Sequence, residues 1–133
     1  MRLNVDNYLL DSLTMHAKAS SRLRANLDLR NSPSDTSQRM LNAIEPGSVV
    51  PIHRHQNTSE TMVILRGSVV EEFYNDEGVC IDTYEVSPTG PVFALNIPAG
   101  QWHTLRALES GTVILEMKDG VYEPIADCDV MNR

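Results

Sequence analysis

Between Gln38 and Lys118 the chain is cut at short, regular intervals by turn chemistry. The cuts are Glu45-Pro46-Gly47, Arg66-Gly67, Asn75-Asp76-Glu77-Gly78, Ser87-Pro88-Thr89-Gly90, Pro98-Ala99-Gly100 and Ser110-Gly111. Pro pre-sets one turn dihedral, Gly supplies a positive one, and Asn and Asp bond their own backbone, so each cluster reads as a chain reversal. The runs between them are rich in Val, Ile, Thr and Tyr, which suit a pleated strand. This predicts strands near 38–45, 48–53, 60–66, 68–74, 79–86, 92–97, 102–108 and 112–118. About eight short strands at such spacing point to an all-β sandwich or small barrel, not to a parallel sheet.

The flanks differ. Leu9, Leu10, Leu13 and Ala17 recur at helical spacing, which predicts a helix over 6–19 with Asp6 as its N-cap. Residues 20–31 mix Arg22, Arg24 and Arg30 with Leu23, Leu27 and Leu29 and read as extended or loosely coiled. After Tyr122 the chain is polar and reads as an irregular tail. At 133 residues the chain is expected to form one domain. The expected organisation is a helix and arm over 1–37, a barrel over 38–122 and a tail over 123–133.

One stretch carries chemistry. Residues 47–67 read Gly47, His53, Arg54, His55, Glu60 and Gly67 at fixed spacing, and Pro98, Gly100 and His103 follow later. Side chains alternate along a strand, so His53 and His55 leave one face while Arg54 leaves the other. Glu60 shares a face with Met62 and Ile64, and His103 shares one with Gln101 and Leu105. Three of the four histidines fall in this set. Three imidazoles and a carboxylate make a first shell for a divalent metal, so His53, His55, Glu60 and His103 are the candidate ligands. A bare His-x-His recurs by chance on strands. The added glutamate, the flanking glycines and the distant Pro-x-Gly-x-x-His make this pattern more specific.

These residues resemble the cupin superfamily. Gly47-x5-His53-x-His55-x4-Glu60-x6-Gly67 matches the first cupin motif at each defined position, and Pro98-x-Gly100-x2-His103 matches the heart of the second. The usual leading glycine and trailing asparagine of the second motif are replaced by Val92 and Ala107. The resemblance implies a double-stranded β-helix, a jelly-roll barrel with metal at its mouth, here preceded by an N-terminal α-helix. More narrowly the chain is similar to WbuC-type cupin metalloproteins, through residues 38–43, the His-x-His segment and Trp102-His103-Thr104. That likeness implies an association with polysaccharide biosynthesis and a sugar-derived ligand, without fixing a reaction.

Three imidazoles and a carboxylate leave two open positions on a six-coordinate ion. Fe, Mn, Ni and Co accept this, and Zn does so with fewer ligands plus water. Such a site can polarise a carbonyl, activate water or hold a chelating substrate. The expectation is an enzyme acting on a small oxygen-rich ligand, sugar-derived or a hydroxy or keto acid, as a metal-dependent isomerase, epimerase or oxygenase. The alternative is a non-catalytic, metal-dependent small-molecule binding or sensing module. No nucleophile triad is evident. Gln101, Arg39, Asn42 and Tyr122 are candidates for supporting the metal ligands or touching a bound molecule. Arg39 and Asn42 lie on opposite faces of one strand, so only one of them can point inward. On the last strand Val113, Leu115 and Met117 are apolar and alternate with Glu116 and Lys118, which predicts that Glu116 and Lys118 are exposed. Arg22, Arg24 and Arg30 read as solvated charge, with an anion clamp as the alternative. Cys80 reads as a small core residue and Cys128 as part of the polar tail.

A net charge of −7 disfavours nucleic acid and anionic membrane surfaces as partners, although a bound cation would reverse the local field. No run approaches the ~20 apolar residues of a transmembrane helix, and the first residues lack a signal-peptide core. The expectation is a cytoplasmic protein with a small-molecule ligand. Open sheet edges and the leucine-bearing N-terminal segment predict a homodimer.

Overall fold

The computed structural model describes residues 2–131. A helix α1, Asn7–Ala19, is followed by strands β1 (Arg24–Asp28), β2 (Ser37–Ile44), β3 (Glu60–Arg66), β4 (Val69–Tyr74), β5 (Cys80–Val86), β6 (Ala94–Ile97), β7 (Trp102–Ala107) and β8 (Thr112–Asp119). Asp6 caps α1, its side chain accepting from the Leu9 amide at 3.0 Å. The strands form two antiparallel sheets, ordered β1-β2-β8-β3-β6 and β5-β4-β7. Facing sheets of this kind make the all-β sandwich expected from the turn spacing, in the jelly-roll form that the resemblance implied.

Two strand assignments change. The arm after α1 contains a regular strand, β1, which pairs with β2 from Arg24↔Ile44 to Asp28↔Met40. The expected strand over 48–53 is irregular instead. Pro51 has no amide hydrogen to give a ladder, and pairing is reduced to isolated bridges from His53 to His103 and to Val130. Gly67, at φ 80°, turns β3 into β4 against β8, and a Cβ there would lie 2.6 Å from the Thr112 Cα. No other residue type fits that approach.

The core has two main parts. Ile44, Met62, Ile64, Val69, Val86, Ala107 and Ile114 fill the space between the sheets. Leu10, Leu13 and Ala17 of α1 pack on Leu41, Ala43 and Val113 across the outer face of the larger sheet. The helix thus buries a second side of β2 and β8. Cys80, expected in the core, is exposed, because β5 is an edge strand open along most of its length.

Candidate metal centre

His103 stands on β7, Glu60 opens β3, and His53 and His55 lie on the irregular segment laid beside β7. Reciprocal backbone bonds, His53 N to His103 O at 3.0 Å and His103 N to His53 O at 2.9 Å, bring the two histidines side by side. The Gly100 amide donates to the His55 carbonyl at 2.8 Å, so the Pro98–Gly100 corner also holds the His-x-His segment. One donor nitrogen from each of His53, His55 and His103 lies within 4.8 Å of the others.

The ring orientation follows from the backbone. A carbonyl can only accept, so Nδ1–H of His53 donates to Pro51 O at 2.8 Å, and Nδ1–H of His103 donates to Gln101 O at 2.9 Å. This leaves the Nε2 lone pairs of both rings free to bind a cation. His103 Nε2 lies 3.6 Å from Glu60 Oε2, and His55 Nε2 lies 3.9 Å from Glu60 Oε1. Burial, then repulsion from His103, pushes His53 down to about 4. Burial, then Lys118, does the same to His55. Both rings are thus neutral at pH 7, as ligation requires. Burial alone would raise the Glu60 pKa, but His103 and Lys118 outweigh it and hold the carboxylate ionised. This donor set fits a divalent ion: neutral imidazoles, one anionic oxygen and backbone-fixed tautomers.

Around it the structure departs from the sequence reading. Glu116 and Lys118 point inward. Lys118 Nζ is 3.4 Å from Glu60 Oε1, and Glu116 Oε1 accepts from Asn42 Nδ2 at 3.0 Å. Burial, then Glu60, pushes Glu116 up to about 7. Of the Arg39–Asn42 pair, Asn42 faces the interior. Arg39 faces away, donating to Leu29 O at 3.0 Å and Ser37 O at 2.8 Å and pairing with Asp35 at 3.3 Å. The Gln101 side chain bonds the carbonyls of Tyr74 and Trp102, and only its backbone carbonyl serves the site, by orienting His103. Tyr122 sits at the rim of the cavity, its ring 5.4 Å from the Arg30 guanidinium.

Two further features escaped the sequence. Glu71 on β4 is completely buried between the sheets, and neither carboxyl oxygen has a hydrogen-bond partner. Burial, then Glu60 and Glu116, raises its pKa well above the usual range, which favours the neutral acid. Val69, Glu71 and Phe73 alternate with Val70, Glu72 and Tyr74, so each face of β4 carries one acid and nothing marks the buried one. The tail, expected to be irregular, ends in a 3-10 turn, Asp127–Asp129. Asp129 accepts from Arg54 Nε and Gln56 Nε2, both at 2.9 Å, and the Arg54 guanidinium lies 4.4 Å over the Trp102 ring. The tail therefore borders a cavity of about 750 Å³ that holds the histidines, Glu60, Glu116 and Lys118.

A two-sheet β-sandwich with three histidines converging at one mouth has the cupin fold. Among solved structures, KdgF from Halomonas sp. is 15% identical with a TM-score of 0.59, over 73% of this chain and 80% of that one. The capsular polysaccharide assembling protein CapF from Staphylococcus aureus is 22% identical with a TM-score of 0.67, over 79% of this chain and 28% of that one. An oxalate decarboxylase from Bacillus subtilis is 20% identical with a TM-score of 0.59, over 76% of this chain and 26% of that one. At these identities the likeness is one of fold, and this chain spans under a third of the CapF and oxalate decarboxylase chains. No curated protein matches the chain in sequence. Residues 5–86 match the family described as a domain of unknown function, DUF6016, and the chain belongs to that family.

Proposed function

We propose that His53, His55, Glu60 and His103 hold one divalent metal, Fe, Mn, Ni, Co or Zn, and that the protein is an enzyme acting on a small oxygen-rich ligand chelated there. The observation that carries this reading is the convergence of three histidine nitrogens on one another, two of them, those of His103 and His55, beside the Glu60 carboxylate, with Lys118 and Glu116 on the same inner face as Glu60. Bound metal would supply Lewis acidity to a ligand carbonyl or hydroxyl. Glu116 is placed to take a proton from the neighbouring carbon and return it, while the Lys118 ammonium faces charge that builds on oxygen. An isomerase or epimerase therefore fits better than an oxygenase. The inward Glu116 is the group that favours catalysis over a passive binding module.

The WbuC-type likeness and the capsular polysaccharide role in the CapF name both support a ligand of sugar origin. A cytoplasmic homodimer completes the proposal. Among the described residues no helix is long and apolar enough to cross a membrane, and light scattering at micromolar concentration checks the dimer. The decisive experiment is metal analysis followed by NMR of metal-loaded protein with aldonic acids and keto sugars in D2O. Deuterium should enter the carbon next to the chelated oxygen, and Glu116→Gln should abolish this while metal stays bound. A ligand that binds tightly and returns without deuterium establishes the binding module instead.

A further inference from the structure

The cavity extends beyond the histidines along the inner face of β1, where Arg22 and Arg24 line it. Neither guanidinium lies within salt-bridge distance of a carboxylate among the described residues. Arg24 Nε is shut off from solvent and has no hydrogen-bond partner. Burial, then the neighbouring Arg22 charge, lowers the Arg24 pKa, and the opposing field of Glu116 is the smaller influence. Glu116 is itself bonded to Asn42. Two guanidinium groups thus face one cavity with no ion-pair partner, and the buried Arg24 Nε lacks a hydrogen bond that an oxyanion would supply.

The backbone holds the pair in place. Leu23, between them, has φ 56°, a left-handed conformation that a bulky non-glycine residue avoids. Three hydrogen bonds keep it there: Leu23 N to Ser20 O at 3.0 Å, Glu45 N to Leu23 O at 3.0 Å and Ser48 Oγ to Arg22 O at 2.7 Å. Residues held in such sparsely populated conformations cluster at active sites and ligand clamps. A guanidinium presents a planar fork of donors that matches carboxylate and phosphate oxygens.

Register sets how far this subsite lies from Glu116, the group beside the metal ligands. Glu116 is level with Met40 and, through it, with Asp28, whereas Arg24 is level with Ile44. Same-face neighbours on a strand stand ~6.7 Å apart, so Arg24 begins ~13 Å along β1 from the Glu116 row. After arginine's own reach, the remaining gap is on the scale of a sugar chain, too long for a two-carbon acid.

We infer that Arg22 and Arg24 form an oxyanion subsite, and that the ligand is a polyhydroxylated chain with chelating oxygens at one end and a carboxylate or phosphate at the other. The chelating end rests on the metal reading above. The arginine subsite stands without it.

The test is calorimetry on metal-loaded protein with three six-carbon probes. D-gluconate has only the chelating end, D-glucarate adds a distal carboxylate, and 6-phospho-D-gluconate adds a distal phosphate. At least one doubly anionic probe should bind about 10-fold or more tightly than gluconate, and the one that gains names the oxyanion. The exposed Arg22→Gln should remove most of that gain at unchanged metal content and unchanged gluconate affinity, and Arg24→Gln should do the same. Equal affinity for all three probes, or a gain that survives both substitutions, overturns the subsite. Inorganic phosphate and acetate titrated into His55→Ala, which lacks a metal ligand, separate the two readings. Arginine-dependent binding of either anion there supports the subsite even if gluconate never binds. Absence of binding by both anions counts against the subsite whatever the metal does.

Discussion

The two faces of the five-stranded sheet are both covered, yet they differ in kind. On its outer face Leu41, Ala43 and Val113 lie under α1 with no polar group among them. On its inner face Gln38, Lys118 and Glu60 stand level across three strands, and Met40, Glu116 and Met62 stand level one step deeper. The outer face is stabilised by area removed from water. The inner face keeps charged groups that balance one another, and across from it, on the smaller sheet, the Glu71 carboxyl is buried without a hydrogen-bond partner. A sheet covered on both sides cannot be oriented by asking which side is apolar, because the more apolar side here is the one away from the cavity.

The largest test of this contrast removes a candidate metal donor from the cavity that the inner face borders. His55→Ala should weaken metal binding more than about 100-fold, beyond the usual cost of losing a residue that merely supports a ligand. His16→Ala, exposed on α1, should leave metal content unchanged. Metal analysis after dialysis decides, and stoichiometric metal in both variants would sink the assignment.

The outer face should respond in stability alone. Leu41 is completely buried beneath the helix, so Leu41→Ala should cost ~2–5 kcal/mol in urea unfolding. Metal stoichiometry should hold under conditions where the variant stays folded. A variant that lost metal while losing less than ~1 kcal/mol would break the division between the faces.

Glu71 should behave in the opposite sense to a core deletion. Its folded pKa is raised, so the protein loses stability through this group as pH climbs above the unfolded value near 4.5. Glu71→Met should therefore stabilise by ~1–3 kcal/mol at pH 8 and by less at pH 4.5. A destabilised Glu71→Met protein at pH 8 would mean that the carboxyl has a structural partner.

The last test is the acid sensitivity of the metal-free protein. His53 and His55 are depressed from 6.5 to about 4. Between those limits the unfolded chain binds more protons, so their contribution is intact above pH 6.5 and falls away toward pH 4. Glu71 and Glu116 act with the opposite sign over part of this range. The histidine contribution is thus read as the difference between wild type and a His53→Gln, His55→Gln variant across urea midpoints from pH 7.5 to 4.5. Parallel curves would remove it.

Much of this protein is legible without coordinates. Turn residues at fixed intervals specify the short strands, because glycine and proline act through local dihedral sterics. Asp6 and the leucine stripe specify α1 for equally local reasons. The spacing of His53, His55, Glu60 and His103 marks the four as candidate donors, although His53 and His55 lie on an irregular segment and are brought side by side with His103 by isolated bridges, not by alternation along a strand. Tertiary structure alone decided which face of β8 looks into the cavity. Val113 and Leu115 pack beneath a helix almost a hundred residues earlier in the chain, and that leaves Glu116 and Lys118 to the interior beside Glu60. It likewise decided that Arg39 turns outward, that Glu71 is buried without a partner and that Arg22 and Arg24 share the cavity of the histidines. Each depends on which strands pair and in what register, and no short window of residues contains that information.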